Sequence, residues 1–111
     1  SITLWGDGSS TRDFLYVNDA ANGIILAAEN YNEHFPVNIS SDDEISIKNL
    51  ANIICEIMDF NGKINWDVSK PNGQPRRCVS NKRAKEKFEF KPKISLKEGL
   101  TRTIEWFNSQ Q

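Results

Sequence analysis

Segments with strand-like and helix-like patterns alternate along the whole chain, and this alternation constrains the fold more than any other feature of the sequence. Four short apolar runs, partly β-branched, predict strands: 1–5, 12–17, 35–40 and 62–68. Four segments with helical periodicity or capping signals predict helices: 18–30, 46–60, a short basic segment after residue 80, and 95–107. This order is typical of an α/β fold with small parallel or mixed strand pairings. The strands are too few and too short for a complete doubly wound sheet, so we expect residues 1–111 to form a single domain cut from a larger protein.

Two of the predicted helices carry clear start signals. Ser46 can cap the helix over 46–60, where apolar residues recur at helical spacing. In the segment S-L-K-E, Ser95 and Glu98 have the spacing of a capping box at the start of the last helix. Both helices therefore have a defined beginning and an apolar stripe that faces a core.

The start signals of the other two helices are weaker. Asn18 is the predicted N-cap of the 18–30 helix. In that helix, Ile24, Ile25 and Ala28 are predicted to face a core. Ser80 is predicted to start the short basic helix. Each of these two assignments depends on a single residue.

Composition excludes several classes of protein. The chain has 111 residues, of which 38% are hydrophobic and 26% charged, so it is globular rather than disordered. No apolar run approaches the roughly 18 residues that span a bilayer. Cys55 and Cys78 form no metal-binding pattern, and Cys55 lies in an apolar run typical of a reduced core thiol. We expect a cytoplasmic protein without a membrane partner or a bound metal.

Charge is distributed unevenly, although the formal net charge is only −1. Eleven acidic and three basic residues lie between positions 1 and 69, whereas nine basic and two acidic residues lie between 70 and 93. The second region begins with K-P-N-G-Q-P-R-R, residues 70–77, which we call the basic loop. Its prolines restrict the backbone, and its cations attract anions. Arg77 at its end is therefore a candidate anion ligand, whereas Lys82–Lys87 read as a solvated helix face.

Two further residues suit a phosphorylated ligand. Trp5 precedes the G-D-G-S-S segment, residues 6–10, which we call the glycine turn, and an exposed indole there can pack on a base or sugar. Arg12 follows the turn, and its planar guanidinium suits bidentate contact with phosphate. Each residue taken alone fits a structural role, Trp5 in a core and Arg12 in a salt bridge. The prediction depends on their occurring together with Arg77.

The sequence offers no catalytic set and no cofactor loop. Neither Tyr16 nor Tyr31 has a lysine four residues later. The glycine turn leads into a predicted strand, whereas a dinucleotide-binding loop leads into a helix, so a plain turn is favoured. The consecutive carboxylates at 42–44 read as a solvated loop ahead of a helix. On these grounds the chain alone is predicted to be inactive and to bind no cofactor.

Four segments resemble the extended short-chain dehydrogenases/reductases, the NAD(P)-dependent nucleotide-sugar epimerases and dehydratases. In chain order they are residues 4–29, which begin L-W-G-D-G-S-S-T-R-D-F-L-Y-V, residues 37–54, V-N-I-S-S-D-D-E-I-S-I-K-N-L-A-N-I-I, residues 64–77, I-N-W-D-V-S-K-P-N-G-Q-P-R-R, and residues 94–107, I-S-L-K-E-G-L-T-R-T-I-E-W-F. The resemblance covers nearly the whole chain. It implies the C-terminal, substrate-binding lobe of such an enzyme, without most of the Rossmann domain.

The resemblance also implies a ligand and a set of site residues. The ligand is a nucleotide-diphosphate sugar, with Trp5 lining its site and Arg12 and Arg77 contacting the diphosphate. Lys70 and Asn72 lie in the matching loop and are weaker candidates. NADP or NAD would be bound by the absent N-terminal domain of the full-length enzyme, which is expected to be a homodimer. An isolated lobe is expected to self-associate through apolar surface that the other domain would cover.

The basic loop is most similar to that of members that epimerise and reduce GDP-sugars. Ser80, the Phe88–Phe90 segment and Asn72 differ from residues common in those members. These differences leave open a UDP- or dTDP-sugar 4-epimerase or dehydratase.

Two alternatives belong to other classes. The first is a stand-alone module that binds polyanions or nucleic acid through residues 70–93, although only Phe88 and Phe90 there can stack on bases. The second is a truncated chain that folds and binds nothing alone, because a pocket between two domains loses its walls when one is removed. The family resemblance favours a lobe that binds a nucleotide sugar and has no nucleic-acid partner.

Overall fold

The computed structural model describes residues 1–111, which form five short strands and four helices. In chain order they are β1 Ile2–Trp5, β2 Thr11–Asp13, α1 Val17–Asn30, β3 Glu44–Ser46, α2 Ile47–Ile57, β4 Ile64–Asp67, β5 Arg76–Arg77, α3 Lys82–Phe88 and α4 Leu96–Ser109. The predicted α/β fold class is confirmed.

The strands form two small sheets. In the first, β1 pairs in parallel with β4, and Trp5 lies opposite Asp67. In the second, the order is β3-β2-β5, with β2 antiparallel to β3 and parallel to β5. The pairings are therefore mixed, in agreement with the small parallel or mixed pairings predicted from the sequence. Both sheets bring distant parts of the chain together.

Two strand predictions are corrected, and two further strands were not predicted. Residues 35–40 form no strand; Val37 and Ile39 pack against the core, and the backbone of Ser40 is bonded by the Asn81 side chain instead of a neighbouring strand. The strand predicted over 12–17 is only β2, because α1 begins at Val17. β3 and β5 were not predicted, since acidic residues and prolines dominate those segments.

The predicted caps of α2 and α4 are confirmed. The Ser46 hydroxyl accepts a hydrogen bond from the Asn49 backbone N–H at 3.1 Å, and the Ser95 hydroxyl accepts one from Glu98 N–H at 3.2 Å. Only half of the capping box forms, because the Glu98 carboxylate pairs with Arg102 one turn later. Each cap satisfies an N–H that has no partner inside the helix.

The predicted starts of α1 and α3 are wrong by one or two residues. Tyr16, not Asn18, is the N-cap of α1, and Asn81, not Ser80, is the N-cap of α3. The face of α1 is also different from the prediction. Ile24 and Ile25 are 64% and 55% exposed, and Ala28 is exposed as well. Leu26 and Ala27 pack against the core in their place.

The core is small and lies where α1 and α3 meet. Ala84, Phe88 and Phe90 are its buried apolar residues, and partly buried side chains surround them. The buried Asp19 carboxylate accepts hydrogen bonds from the backbone N–H groups of Lys93 and Ile94, tying α1 to the segment before α4. Because the buried Asp19 carboxylate would lack partners without these two donors, this contact fixes the entry into the last helix.

The molecule is flat and extended. Its principal extents are 49 × 33 × 19 Å and its radius of gyration is 16.5 Å, against about 13 Å for a compact domain of this length. No helix is both long enough and apolar enough to cross a bilayer.

Candidate functional site

The glycine turn and the basic loop interlock. The side-chain oxygen of Asn72 accepts a hydrogen bond from Asp7 N–H at 2.8 Å, and its backbone carbonyl accepts one from the Ser10 hydroxyl at 3.2 Å. Gly6 has a φ of +83°, and a Cβ there would lie 1.9 Å from the Asn72 Oδ1 atom. The two segments therefore form one unit, with Asn72 as the brace between them.

Trp5 and Lys70 meet at one side of this unit. Trp5 ends β1 and is 66% exposed, so it is not a core residue. The Lys70 ammonium lies 5.5 Å from the centroid of the Trp5 ring, a cation–π contact. A tight turn holds Lys70 there, because its backbone N–H and the Ser69 side chain both bond Asp67.

Arg12 and Arg77 are register partners on neighbouring parallel strands. Side chains at paired positions of adjacent strands lie on the same face, so the two guanidinium groups share one face of the β3-β2-β5 sheet. Arg77 is exposed and makes no side-chain hydrogen bond or ion pair. The sheet thus places an unpartnered cation directly beside Arg12.

Arg12 does not form the salt bridge that was its simplest structural role. Its Nη1 atom donates to the backbone carbonyls of Thr11 at 2.6 Å and Gln74 at 2.8 Å. These bonds use one nitrogen and hold the basic loop against β2. The Nε and Nη2 atoms of Arg12 make no hydrogen bond within the chain.

The opposite face of the same sheet carries a polar cluster. Glu44 accepts a hydrogen bond from the Thr11 hydroxyl at 2.7 Å and from Arg76 Nε at 2.9 Å. The Thr11 bond first, and then the Arg76 bond and charge, lower the pKa of Glu44, and Glu44 raises the pKa of Arg76. Burial, then the charges of Glu44 and Asp13, raise the pKa of the Cys78 thiol.

The cluster corrects the sequence interpretation of 42–44 as a solvated loop at one residue, Glu44, since Asp42 and Asp43 are exposed and precede β3. Glu44 belongs to β3 and contacts both other strands of the sheet, a role visible only once Arg76 is placed 32 positions away beside it. No local signal in the sequence identifies this pairing.

The glycine turn does not fit the pyrophosphate of a nicotinamide cofactor. It leads into β2, not into a helix whose N-terminus could meet an anion. The space beside Gly6 is filled by Asn72, and the space beside Gly8 by Trp66 and Lys48. These glycines accommodate the chain's own side chains. No cluster of three or more His, Cys, Asp or Glu side chains among residues 1–111 could hold a metal ion.

An apolar groove begins directly after the end of β2. The groove lies between residues 14–17 and α4 and has a volume of about 580 Å³. Gly99 packs against the Tyr16 ring. The Arg102 guanidinium carbon lies 5.8 Å from the centroid of the same ring. Its rim includes Trp106, which is 63% exposed. Eight of its twelve lining residues are hydrophobic, and the hydroxyls of Ser95 and Thr103 bond the backbone of α4.

Comparison with known proteins identifies the class of protein to which this architecture corresponds. Residues 1–40 match the model of the NAD dependent epimerase/dehydratase family. This match and those described next confirm the predicted resemblance to NAD(P)-dependent nucleotide-sugar epimerases and reductases. The mixed α/β fold is the one that such enzymes contain.

Particular relatives narrow the class. A GDP-L-fucose synthase of Sinorhizobium fredii is 41% identical over 108 residues, covering 97% of this chain and 34% of the relative. A GDP-L-fucose synthetase structure from Naegleria fowleri bound to NADP has a TM-score of 0.86 at 27% identity, over 97% of this chain and 34% of that one. The UDP-glucose 4-epimerase of Thermotoga maritima, crystallised with UDP-glucose, has a TM-score of 0.89 at 28% identity, over 98% and 35%. This chain spans about a third of the length of the curated relatives that it matches.

Proposed function

We propose that this chain is the substrate-binding lobe of an NAD(P)-dependent nucleotide-sugar epimerase/reductase similar to GDP-L-fucose synthase. Arg12 and Arg77 bind the diphosphate of a GDP-sugar, and Trp5 packs against its nucleoside. Lys70 and Asn72 support this site from the basic loop. Residues 1–111 act as a single domain of the longer enzyme.

The observation that carries the proposal is the parallel register of β2 and β5. It places two arginines side by side on one face, and one of them has no partner. A diphosphate carries at least two negative charges over adjacent phosphates, so a pair of planar guanidinium groups can neutralise it by charge-assisted hydrogen bonds. The bond from Arg12 to Gln74 in the basic loop holds the Arg12 guanidinium in place before the ligand arrives, which lowers the entropy lost on binding.

Trp5 supplies the apolar part of the site. Its ring is exposed and already stacks with one cation, so it can also cover a base or sugar face. Lys70 above it adds positive charge next to the same ligand. Asn72 is a brace, since its side-chain oxygen accepts the Asp7 N–H bond.

In this proposal, the catalytic residues and the cofactor site belong to the rest of the longer enzyme. The chain has no tyrosine followed by lysine four residues later, and its glycine turn does not fit the cofactor. In the proposed enzyme, NADP or NAD supplies the redox step from another domain. The 111 residues alone are predicted to be inactive.

A UDP-sugar is the second candidate ligand. The similarity to the Thermotoga maritima UDP-glucose 4-epimerase favours it, because that structure has the higher TM-score of the two described above. The identity of 41% to a GDP-L-fucose synthase favours GDP. Both ligands present the same diphosphate to Arg12 and Arg77, so the base distinguishes them.

A polyanion-binding module has less support. Phe88 and Phe90, the only aromatic residues between 70 and 93, are 4% and 1% exposed and cannot stack on bases. Three of the cations in this region are also engaged, since Arg83 bonds Pro36, Lys87 pairs with Glu33 and Arg76 pairs with Glu44.

Calorimetric titration with GDP and UDP tests the proposal. Arg77→Gln is expected to weaken GDP binding at least about tenfold, because it removes a charge-assisted contact. Lys85→Gln is the matched control, since it removes one exposed positive charge from α3 and is expected to leave binding unchanged. Equal losses in both variants, or binding of neither nucleotide by the unmodified chain, would contradict the proposal.

A further inference from the structure

The strand that carries Arg77 has few interactions to hold it. β5 contains two residues at the edge of its sheet, and both are exposed. Because side chains alternate along a strand, Arg76 and Arg77 lie on opposite faces. The direction of the Arg77 side chain therefore depends on how firmly Arg76 and the backbone of β5 are held.

Glu44 holds this strand from the far side of the sheet. One of its carboxylate oxygens accepts from Arg76 on β5, and the other accepts from Thr11 on the central strand. Glu44 itself lies on β3, so a single carboxylate connects all three strands. Thr11 N–H adds a backbone bond to Pro75 at 2.9 Å just before β5.

We infer that Glu44 is a positioning residue for Arg77. By fixing Arg76 on one face, it keeps Arg77 on the other face beside Arg12, in the orientation that receives the diphosphate. This inference rests on the proposed function of Arg12 and Arg77. Glu44 itself touches no ligand, because it lies on the opposite face of the sheet.

The two possible roles of Glu44, through its charge or through positioning Arg77, predict opposite changes in GDP affinity. If Glu44 acts only through its charge, Glu44→Gln removes a negative group from the neighbourhood of an anion site and tightens GDP binding. If Glu44 positions Arg77, the same substitution weakens binding, because a glutamine has one acceptor oxygen for two donors. The sign of the change therefore separates the two roles.

A second variant keeps the charge and changes only the reach. Glu44→Asp is shorter by one methylene, so its carboxylate cannot bond Thr11 and Arg76 together. Positioning predicts weaker GDP binding in this variant as well, whereas a pure charge effect predicts no change. Glu56→Gln is the matched control, because it breaks another exposed ion pair, with Lys97, far from the sheet.

Calorimetric titration with GDP is the first measurement. Both Glu44 variants are expected to raise the Kd at least about threefold, the scale of one exposed ion pair. Neither variant is expected to add to the loss in an Arg77→Gln background, because the residue to be positioned is then absent. Tighter or unchanged binding in the single variants, or full additivity with Arg77→Gln, would overturn the inference.

Hydrogen exchange of the free protein is the second measurement, and it needs no ligand. The Thr11 amide, which bonds Pro75, is expected to exchange faster in Glu44→Gln and Glu44→Asp than in Glu56→Gln. Unchanged exchange would overturn the positioning role whatever GDP does. If exchange is faster but the unmodified protein binds no GDP, the proposed function has failed. The role of Glu44 in GDP binding is then overturned as well, although Glu44 still holds β5.

Discussion

The contact between Gly6 and Asn72 is the point at which the glycine turn and the basic loop depend on each other. Gly6 has a φ of +83°, where only glycine is free of strain, and the Asn72 side chain fills the space where a Cβ would lie. The Asn72 oxygen in turn bonds Asp7. One glycine therefore allows the brace that holds the two candidate ligand-binding segments together.

Gly6→Ala is expected to destabilise the chain by about 1–3 kcal/mol from backbone strain, with a further loss from displacing Asn72. Gly73→Ala is the matched control, since Gly73 has a φ of +78° but its added Cβ would lie 3.7 Å from the closest atom, Arg12 Nη2. Urea denaturation followed by tryptophan fluorescence measures both. A loss in Gly6→Ala no larger than that in Gly73→Ala would show that Asn72 does not need this space.

Glu44 is expected to make stability depend on pH at the acid end. Its hydrogen bonds to Thr11 and Arg76 hold its pKa below the ordinary value of 4.5 in the folded state. Its contribution is therefore fully present above about pH 4.5 and is lost as the pH falls through the lower, folded pKa. Thr11→Val should raise the Glu44 pKa, as measured by carbon-detected NMR titration of the carboxyl group.

Ser9→Ala is the control for that titration. The Ser9 hydroxyl and backbone lower the pKa of Asp7 in the glycine turn, not that of Glu44. Ser9→Ala should therefore raise the Asp7 pKa and leave the Glu44 curve in place. A Glu44 midpoint that does not respond to Thr11→Val would mean that the hydroxyl bond does not form in solution.

Residue types in the sequence were enough to nominate Trp5, Arg12 and Arg77, because exposed aromatics and arginines at turns suit phosphorylated ligands. The sequence could not show that Arg12 uses one nitrogen on backbone carbonyls, or that Glu44 reaches Arg76. Both contacts join segments separated by more than 30 residues, and no local pattern encodes them. The roles of these residues in binding stay predictions.

The starts of α2 and α4 are the features of the helices for which sequence and structure agree best. Ser46 and Ser95 cap α2 and α4, and each satisfies an otherwise unpaired N–H. Ser46→Ala and Ser95→Ala are each expected to cost about 0.5–2 kcal/mol in the free energy of unfolding. Asn18→Ala is the control, because Asn18 lies inside α1 and caps nothing, so it should change stability little. Equal losses at all three positions in chemical denaturation would contradict this assignment.

Strands were predicted less well than helices for a physical reason. A helix start is a local pattern, whereas β5 exists only because Pro75 and Arg76 meet β2 across more than 60 residues. The apolar segment 35–40 has strand-like composition, yet it packs on the core without a strand partner. Pairing partners decide whether an extended segment becomes a strand, and partners are not visible in composition.

The whole molecule exposes more apolar surface than a compact domain would. Large apolar side chains are open on α1, on α4 and at the edges of the sheets, among them Val17 at 67%, Ile24 at 64% and Trp106 at 63%. Together with the flat shape and the coverage of a third of the relatives' length, this fits a lobe that packs on another domain. Until that surface is covered, it is available for association.

We expect the 111-residue chain to self-associate in a concentration-dependent way. Light scattering coupled to size exclusion should show a mass that rises with protein concentration. A Trp106→Gln variant should shift the equilibrium towards monomer, because it removes an exposed apolar side chain. Lys85→Gln should not, because Lys85 lies on the charged surface of α3. A clean monomer at high concentration would contradict the prediction.

The measurement that tests the central claim most directly is an NMR titration of the isotope-labelled chain with GDP, compared with UDP. We predict that GDP shifts the indole signal of Trp5 and the side-chain Nε–H signals of Arg12 and Arg77, more strongly than UDP does, and that Arg12→Ala abolishes these shifts. Shifts confined to Lys82–Lys87 on α3 would contradict it, because they would place the anion on the basic helix and not at the paired arginines.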